Sequence, residues 1–263
     1  MRSKLETDFF SLPRPRVMAH RGLSGLFPEN TLLAFEEAAR VGAPYIELDV
    51  HMTRDGEVIV CHDADLKRTT DRAGLIHELS YAEVAAADAG YNFGGTKGTF
   101  PFRGQGLSVP RLADVLAGFA QIHFVIEVKQ IEPSLIAAMS EVIEKAHMRR
   151  HVLIASEHQQ PLSEAREMLA GVPTNFSALE TAEFFRRLAI GMAGYEPPGE
   201  ALQIPPQHQG LRLVTEQSVA GARDLGVEMH VWTVNDPAEM RSFLRLGAHG
   251  IITDYPDRML ALV

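Results

Sequence analysis

Eight short apolar, β-rich runs recur along the chain, all but the second followed directly by a stretch with helical spacing and the second by a longer insertion, and no other feature restricts the fold as much. The apolar runs fall at 17–19, 45–50, 124–128, 152–155, 174–177, 201–204, 228–232 and 250–252. Helical stretches follow at 31–41, 133–148, 161–170, 178–189, 215–226, 236–246 and 256–262. Eight such units in 263 residues match the size and count of a (β/α)₈ barrel. A doubly wound sheet needs fewer strands and a glycine-rich first turn, which is not present here.

The stretch after the second run, about 52–121, is too long for one loop. It holds a hairpin-like run at 57–62, a helical segment at 81–87 and a glycine-rich segment at 90–106. We expect a small insertion subdomain there, because so few residues bury little core of their own. The chain 1–263 then reads as one α/β TIM-barrel domain carrying that insertion. Loops after barrel strands build active sites, so the insertion is the expected determinant of substrate choice.

Lys and Arg number 25 against 34 Asp and Glu, a formal charge of −9, and no basic run stands out. A nucleic-acid partner is therefore not expected. No uninterrupted apolar run is long enough for a membrane span. The lone cysteine, Cys61, has no intramolecular disulfide partner and reads as a small buried side chain. The N-terminal residues lack the apolar core of a signal peptide, which makes the cytoplasm the expected compartment. Oligomeric state is not legible.

Catalytic groups of a barrel come from the carboxyl ends of its strands, and here those ends are polar. The first run ends in His20-Arg21-Gly22, the second carries Glu47 and Asp49, the hairpin-like run ends in His62-Asp63, the third carries Glu127 and Lys129, and the seventh runs into Trp232. Strand side chains alternate, so Glu47 and Asp49 share one face, as do Glu127 and Lys129. If that face is the barrel interior, three carboxylates converge in low dielectric and call for a cation. Oxygen ligands alone suit Mg²⁺ or Ca²⁺ better than Zn²⁺.

Each of these residues also has an ordinary structural reading. Glu47 and Asp49 can be surface acids, Glu127 and Lys129 an internal ion pair, His62 a structural histidine, Trp232 core filling and Arg21 a loop cation. Together at one predicted face they form a kit for phosphate-ester cleavage: two histidines to exchange protons, carboxylates for a metal, and two cations for the phosphate oxygens.

The segments AHRGLSGLFPENTLLAFEEA (19–38) and YIELDVHMTRDGEVIVCHDADLKRTTDRAG (45–74) closely resemble glycerophosphodiester phosphodiesterases. So do SVPRLADVL (108–116), FVIEVK (124–129), HVWTVND (230–236) and GIITDYPD (250–257). The resemblance implies a (β/α)₈ barrel with an insertion after the second strand, and metal-dependent hydrolysis of glycerophosphodiesters to sn-glycerol 3-phosphate and an alcohol. It implies His20 and His62 as the acid/base pair, Glu47, Asp49 and Glu127 as metal ligands, and Arg21 and Lys129 as phosphate contacts. Glu29 and Asn30 would support the site, and Trp232 would wall the glycerol. Two departures stand out. Glu157 occupies a position where the family commonly has an aromatic, and Arg111 one where a small hydroxyl residue is usual.

Other readings follow from the same residues. A lysophospholipase-D-like enzyme would need an apolar groove in the 52–121 insertion, against which its glycines and Asp88, Lys97 and Arg103 lean. A non-catalytic barrel acting as a binding module would be marked by loss of a histidine or a metal carboxylate, and all five are present. A metal-dependent aldolase would use Lys129 but leave both histidines without work.

Overall fold

Both faces of the strand Tyr45–Met52 are buried, as a strand lying between a barrel interior and a surrounding helix layer must be. Ile46, Leu48 and Val50 point outward into an apolar layer with Phe124, Ile126 and Val128 and the neighbouring helices. Tyr45 points inward, where it packs with Met18, Val125, Leu153, Ala201 and Ile252. Further along the same inward face stand Glu47 and Asp49. The interior is thus apolar in its middle and charged at its carboxyl end.

The computed structural model describes residues 7–94 and 98–263; Lys97 of the expected insertion lies outside them. In chain order the elements are β1 (Arg16–His20), α1 (Leu32–Arg40), β2 (Tyr45–Met52), β3 (Val58–Val60), a 3₁₀ turn (Ile76–Glu78), α2 (Tyr81–Ala85) and α3 (Leu112–Gly118). Then come β4 (His123–Val128), α4 (Ile136–Lys145), β5 (Val152–Ala155), α5 (Gln159–Met168), α6 (Ala178–Ile190) and β6 (Ala201–Ile204). A small hairpin, β7 (Gln207–His208) with β8 (Leu211–Arg212), precedes α7 (Glu216–Asp224), β9 (Glu228–Val231), α8 (Pro237–Arg245), β10 (Gly250–Thr253) and α9 (Pro256–Leu260).

Seven strands lie side by side in the order β5-β4-β2-β1-β10-β9-β6, and each neighbouring pair is parallel. Residues 174 and 175 join the two edges through parallel bridges, Thr174 to Ile154 of β5 and Asn175 to Ala201 of β6. This segment is the fifth of the eight expected runs and the shortest in the structure. Pro173 has no N–H to offer the ladder, and Ser177 must already cap α6, so only the three residues 174–176 remain between them. All eight expected β runs therefore occupy barrel positions.

Helix starts follow the caps in the sequence. The Thr31 side chain accepts from Ala34 N, Ser177 and Glu180 form a reciprocal capping box, and Asp236 caps α8 with Pro237 in its first turn. Between β2 and β4, β3 pairs antiparallel with β2, and Ile59, Leu66, Ile76, Val84 and Val109 form a separate small apolar cluster. At the opposite end of the barrel, Phe9 closes the bottom with its ring 5.1 Å from that of Tyr45, whose hydroxyl donates to Phe9 O at 2.7 Å.

Candidate active site at the barrel mouth

The first polar turn follows from backbone geometry. Arg21 has φ 55° and Gly22 φ 86°, and a Cβ on Gly22 would meet the Ala34 backbone at 2.7 Å. Only glycine fits there, so α1 packs directly beneath the turn. The turn leaves His20 at the end of β1 opposite Glu47 in register, while Asp49 stands opposite Glu127 across β2 and β4. Two strand pairings thus bring four of the expected site residues together.

Glu47, Asp49 and Glu127 each offer a carboxylate oxygen, and these oxygens lie within 4.8 Å of one another. Burial pushes the Glu47 carboxyl up to about 8, and the nearby Asp49 charge pushes the same way. Glu127 is raised too, by burial first and by Asp49 as well, although Lys129 opposes this. Burial also works on Asp49, but Arg21 and Lys129 outweigh it and hold the carboxyl below its ordinary range. Asp49 Oδ1 is buried and makes no hydrogen bond among the described residues. An all-oxygen donor set in which two carboxyls are held up by burial and one buried oxygen lacks an aligned hydrogen bond fits a hard divalent cation.

The cations stand among these acids. Lys129 Nζ lies 2.7 Å from Glu127 Oε1 and 3.2 Å from Asp49 Oδ1. Arg21 Nη1 donates to Glu29 Oε1 at 2.9 Å, and its Nε approaches Asp49 Oδ2 at 3.0 Å without the alignment of a hydrogen bond. Asn30 donates from Nδ2 to Asp49 Oδ2 at 2.9 Å, which orients that carboxylate. Glu29 also receives Arg68, through Nη1 at 2.8 Å and Nη2 at 2.7 Å. Glu29 and Asn30 therefore lie behind the cluster and hold its members, rather than facing the mouth.

Each histidine has its own carboxylate. His20 Nδ1 is 2.6 Å from Asp254 Oδ1, and His62 Nδ1 is 2.6 Å from Asp63 Oδ1. Burial disfavours a charged His20, yet the Asp254 hydrogen bond and the Glu47 charge outweigh it and raise the ring above its ordinary value. Asp63 is gripped from the other side by Arg68 Nε at 2.5 Å. Asp63, Arg68 and Asp254 were given no role from sequence. Available signals were the adjacency in His62-Asp63 and the place of Asp254 just past the last barrel strand, where the other strands also present their functional groups. Cys61 is buried and its thiol pushed up to about 12 by burial, which fits a packing role.

His20, Arg21, Glu47, His62, Glu127, Lys129 and Trp232 line one cavity of about 650 Å³. Trp232 also packs on the inner apolar cluster, so its core and ligand-facing readings both hold. Among the described residues of the 52–121 span, only His62 reaches the lining. The remaining wall comes from Val125, Ser156 and Glu157, from Asn175 and Phe176 with the start of α6, from 203–213 at the end of β6 and beyond it, and from Trp232, Thr233 and Ile252, while β3 packs against β2. Glu157 lines the cavity and its charge adds to that raising Glu127. Arg111 lies elsewhere, bound to Asp114 through two contacts of 3.0 Å beside the Tyr81 ring. No helix among the described residues is long and apolar enough to cross a membrane.

Comparison with known proteins agrees with this geometry. Residues 20–258 match the glycerophosphoryl diester phosphodiesterase family. A glycerophosphodiester phosphodiesterase of Bacillus subtilis is 31% identical over 95% of this chain and 87% of its own length. A mouse lysophospholipase D is 26% identical over 93% of this chain and 84% of its own. The solved structure of a phosphodiesterase from Oleispira antarctica, in complex with the product sn-glycerol 3-phosphate, superposes with a TM-score of 0.79 at 26% identity, covering 97% of this chain and 98% of that one.

Proposed function

The chain belongs to the glycerophosphoryl diester phosphodiesterase family, and from that membership we propose that it hydrolyses glycerophosphodiesters to sn-glycerol 3-phosphate and an alcohol, using His20 and His62 as acid and base. Glu47, Asp49 and Glu127 would hold a divalent ion, Mg²⁺ or Ca²⁺. The observation that carries this reading is the convergence at one barrel mouth of three carboxylates, two cations and two histidines each backed by its own carboxylate.

A hard divalent ion on these carboxylates supplies positive charge for the non-bridging phosphate oxygens. Arg21 and Lys129 offer further donors to the same oxygens, and their present partners Glu29, Asp49 and Glu127 keep them aimed at the mouth. One imidazole takes the proton of the attacking hydroxyl or water, and the other delivers a proton to the departing alcohol oxygen. Asp254 and Asp63 hold the two rings by Nδ1, which leaves each Nε2 for the transfer. Trp232 would wall the glycerol moiety. The proposal takes the chain as a single barrel domain with 52–121 as its insertion, acting in the cytoplasm.

The reading is tested by release of sn-glycerol 3-phosphate from glycerophosphocholine and glycerophosphoethanolamine, with EDTA, Mg²⁺ and Ca²⁺ compared. Release that EDTA abolishes and one of the ions restores is the expected result. Silence on both diesters, with folded and metal-loaded protein, would overturn it. A second reading, action on diesters that keep one acyl chain, is favoured by the apolar side of the cavity and by likeness to the mouse enzyme.

A further inference from the structure

The loop that follows β3 is built to hold one guanidinium. Asp65 Oδ1 accepts from Lys67 N at 2.7 Å, the Thr70 hydroxyl donates to Leu66 O at 2.8 Å, and Asn92 Nδ2 lies 3.0 Å from the carbonyl oxygens of both Arg68 and Thr70. Leu66 anchors the same turn in the small apolar cluster between β2 and β4. From this fixed turn Arg68 reaches two carboxylates. Its Nη1 and Nη2 donate to Glu29 Oε2 and Oε1 at 2.8 and 2.7 Å, while its Nε and Nη2 donate to Asp63 Oδ2 and Oδ1 at 2.5 and 3.3 Å. One edge of the guanidinium thus grips Glu29 and the adjacent edge grips Asp63. Each carboxylate uses one oxygen a second time: Glu29 Oε1 accepts from Arg21 Nη1 at 2.9 Å, and Asp63 Oδ1 lies 2.6 Å from His62 Nδ1. Arg21 and His62 line the catalytic cavity, and Arg68 does not. The chain Arg21–Glu29–Arg68–Asp63–His62 therefore runs behind the mouth, from the β1–α1 loop to the loop after β3, with Arg68 at its centre.

The alternation of charge makes the position of each member depend on its neighbours. Burial opposes ionisation of Glu29, and the Arg68 hydrogen bonds with the Arg21 charge outweigh it. Burial opposes ionisation of Asp63 as well, and its hydrogen bonds to Arg68 and His62 prevail. Ionised carboxylates only accept, and one pinned at both oxygens cannot turn, so Arg68 decides where Asp63 Oδ1 and Glu29 Oε1 point. An isolated ion pair at this exposure does little for stability, whereas a planar fork engaging two carboxylates fixes geometry. We propose that Arg68 is a positioning residue for the hydrolysis, one edge of its guanidinium setting the His62 ring through Asp63 and the other setting Arg21 through Glu29. A proton-transfer group and a phosphate donor from two different loops are thereby held in one register. The inference rests on the hydrolytic reading above and gives the loop after β3 a part in it beyond His62 itself.

Arg68→Lys is the discriminating substitution, because an ammonium keeps the charge but cannot present two donor edges. In the metal-loaded enzyme it should lower kcat for glycerophosphoethanolamine by at least about tenfold, as expected when a proton-transfer group loses its orientation. Combined with Asp63→Asn, or separately with Glu29→Gln, it should cost at least about threefold less than the product of the two single losses, since each partner variant has already cut one edge. A second readout needs no turnover. Long-range proton–nitrogen-15 correlation spectra at alkaline pH show which nitrogen of each neutral imidazole carries the proton, with His62→Gln and His20→Gln supplying the assignments. In the wild type both rings should be the Nδ1–H form that Asp63 and Asp254 require. In Arg68→Lys the His62 ring should pass to a mixture with the Nε2–H form, while His20, held by Asp254, stays as it was. An unchanged His62 tautomer, a kcat that Arg68→Lys leaves intact, or additive losses in either pair would overturn the proposal. Wild-type protein silent on every diester would defeat the hydrolytic reading instead, and the tautomers would still decide whether Arg68 positions His62.

Discussion

Oδ1 of Asp254 lies 2.6 Å from Nδ1 of His20, while Oδ2 of the same carboxylate accepts from Asn235 Nδ2 at 2.6 Å. Asp254 is held ionised because the His20 and Asn235 hydrogen bonds outweigh the burial that opposes it. An ionised carboxylate only accepts, so the ring proton sits on Nδ1 and Nε2 turns towards Glu47, 3.9 Å away. Asp254 is a positioning residue in this arrangement. Asp254→Asn should lower kcat by about 10²- to 10⁴-fold while changing KM little, the range expected when a general acid or base loses its orientation. Asp254→Glu should recover part of the loss. Equal damage to kcat and KM, or no rescue by Glu, would mark the contact as merely structural.

His20→Ala and His62→Ala should each cost about 10²- to 10⁴-fold in turnover with the far-ultraviolet spectrum unchanged. The two differ in one respect. The variant that lacks the general acid loses far less on a diester with a nitrophenol leaving group, since that alcohol departs without a proton. Steady-state rates on the natural and activated substrates separate the roles, and near-wild-type rates in both variants at verified metal content would defeat the acid/base scheme.

Glu47→Gln tests the cation. The amide keeps the size of the side chain and removes its charge from a cluster whose oxygens lie within 4.8 Å of one another. Calorimetric titration with Mg²⁺ and Ca²⁺ should show at least tenfold weaker binding, and excess ion should restore part of the activity. If affinity and metal dependence are both unchanged, Glu47 is not a ligand.

The barrel was legible because its signal is local and repeated: most of the eight strands are short apolar, β-rich runs, and from the third onward each is followed at a similar interval by the next. The carboxylate cluster was legible for the same reason, since residues two apart on a strand share a face, and the register that sets Asp49 against Glu127 preserves that arithmetic. The partners of the histidines were not. Asp63 meets His62, and Arg68 meets Asp63, in a loop, and Asp254 reaches His20 across the β1–β10 edge; no periodicity relates residues joined by loop conformation. The apolar side of the cavity was missed because its parts, α6 and the hairpin at 207–212, are ordinary amphipathic and turn-like stretches until the fold brings them to the mouth.

The far end of the barrel carries the last prediction. Glu228 accepts from Arg16 Nε and Nη2, each at 2.7 Å, from Arg14 Nη2 at 2.8 Å, and lies 3.1 Å from His230 Nε2. The Arg16 and Glu228 side chains are only 1% and 5% exposed, so this is a buried ion pair whose partners have no water to fall back on. Glu228→Gln leaves the Arg16 guanidinium buried without its counter-charge and should cost about 3–5 kcal/mol of stability at neutral pH. Burial opposes ionisation of Glu228, yet His230 and Arg16 win and hold its carboxyl well below the glutamate range. A depressed carboxyl contributes stability that is complete above the unfolded-state value and is lost as pH falls towards the folded-state value. The buried histidines act in the same direction: burial keeps His230 neutral and lowers His249 to about 4, so each must take up a proton on unfolding in mild acid. Urea midpoints measured from neutral pH down to about pH 4 should therefore fall steadily in the wild type and less steeply in Glu228→Gln, because the variant has no Glu228 carboxylate left to protonate. Parallel pH profiles for the two proteins would mean that the network contributes packing rather than charge.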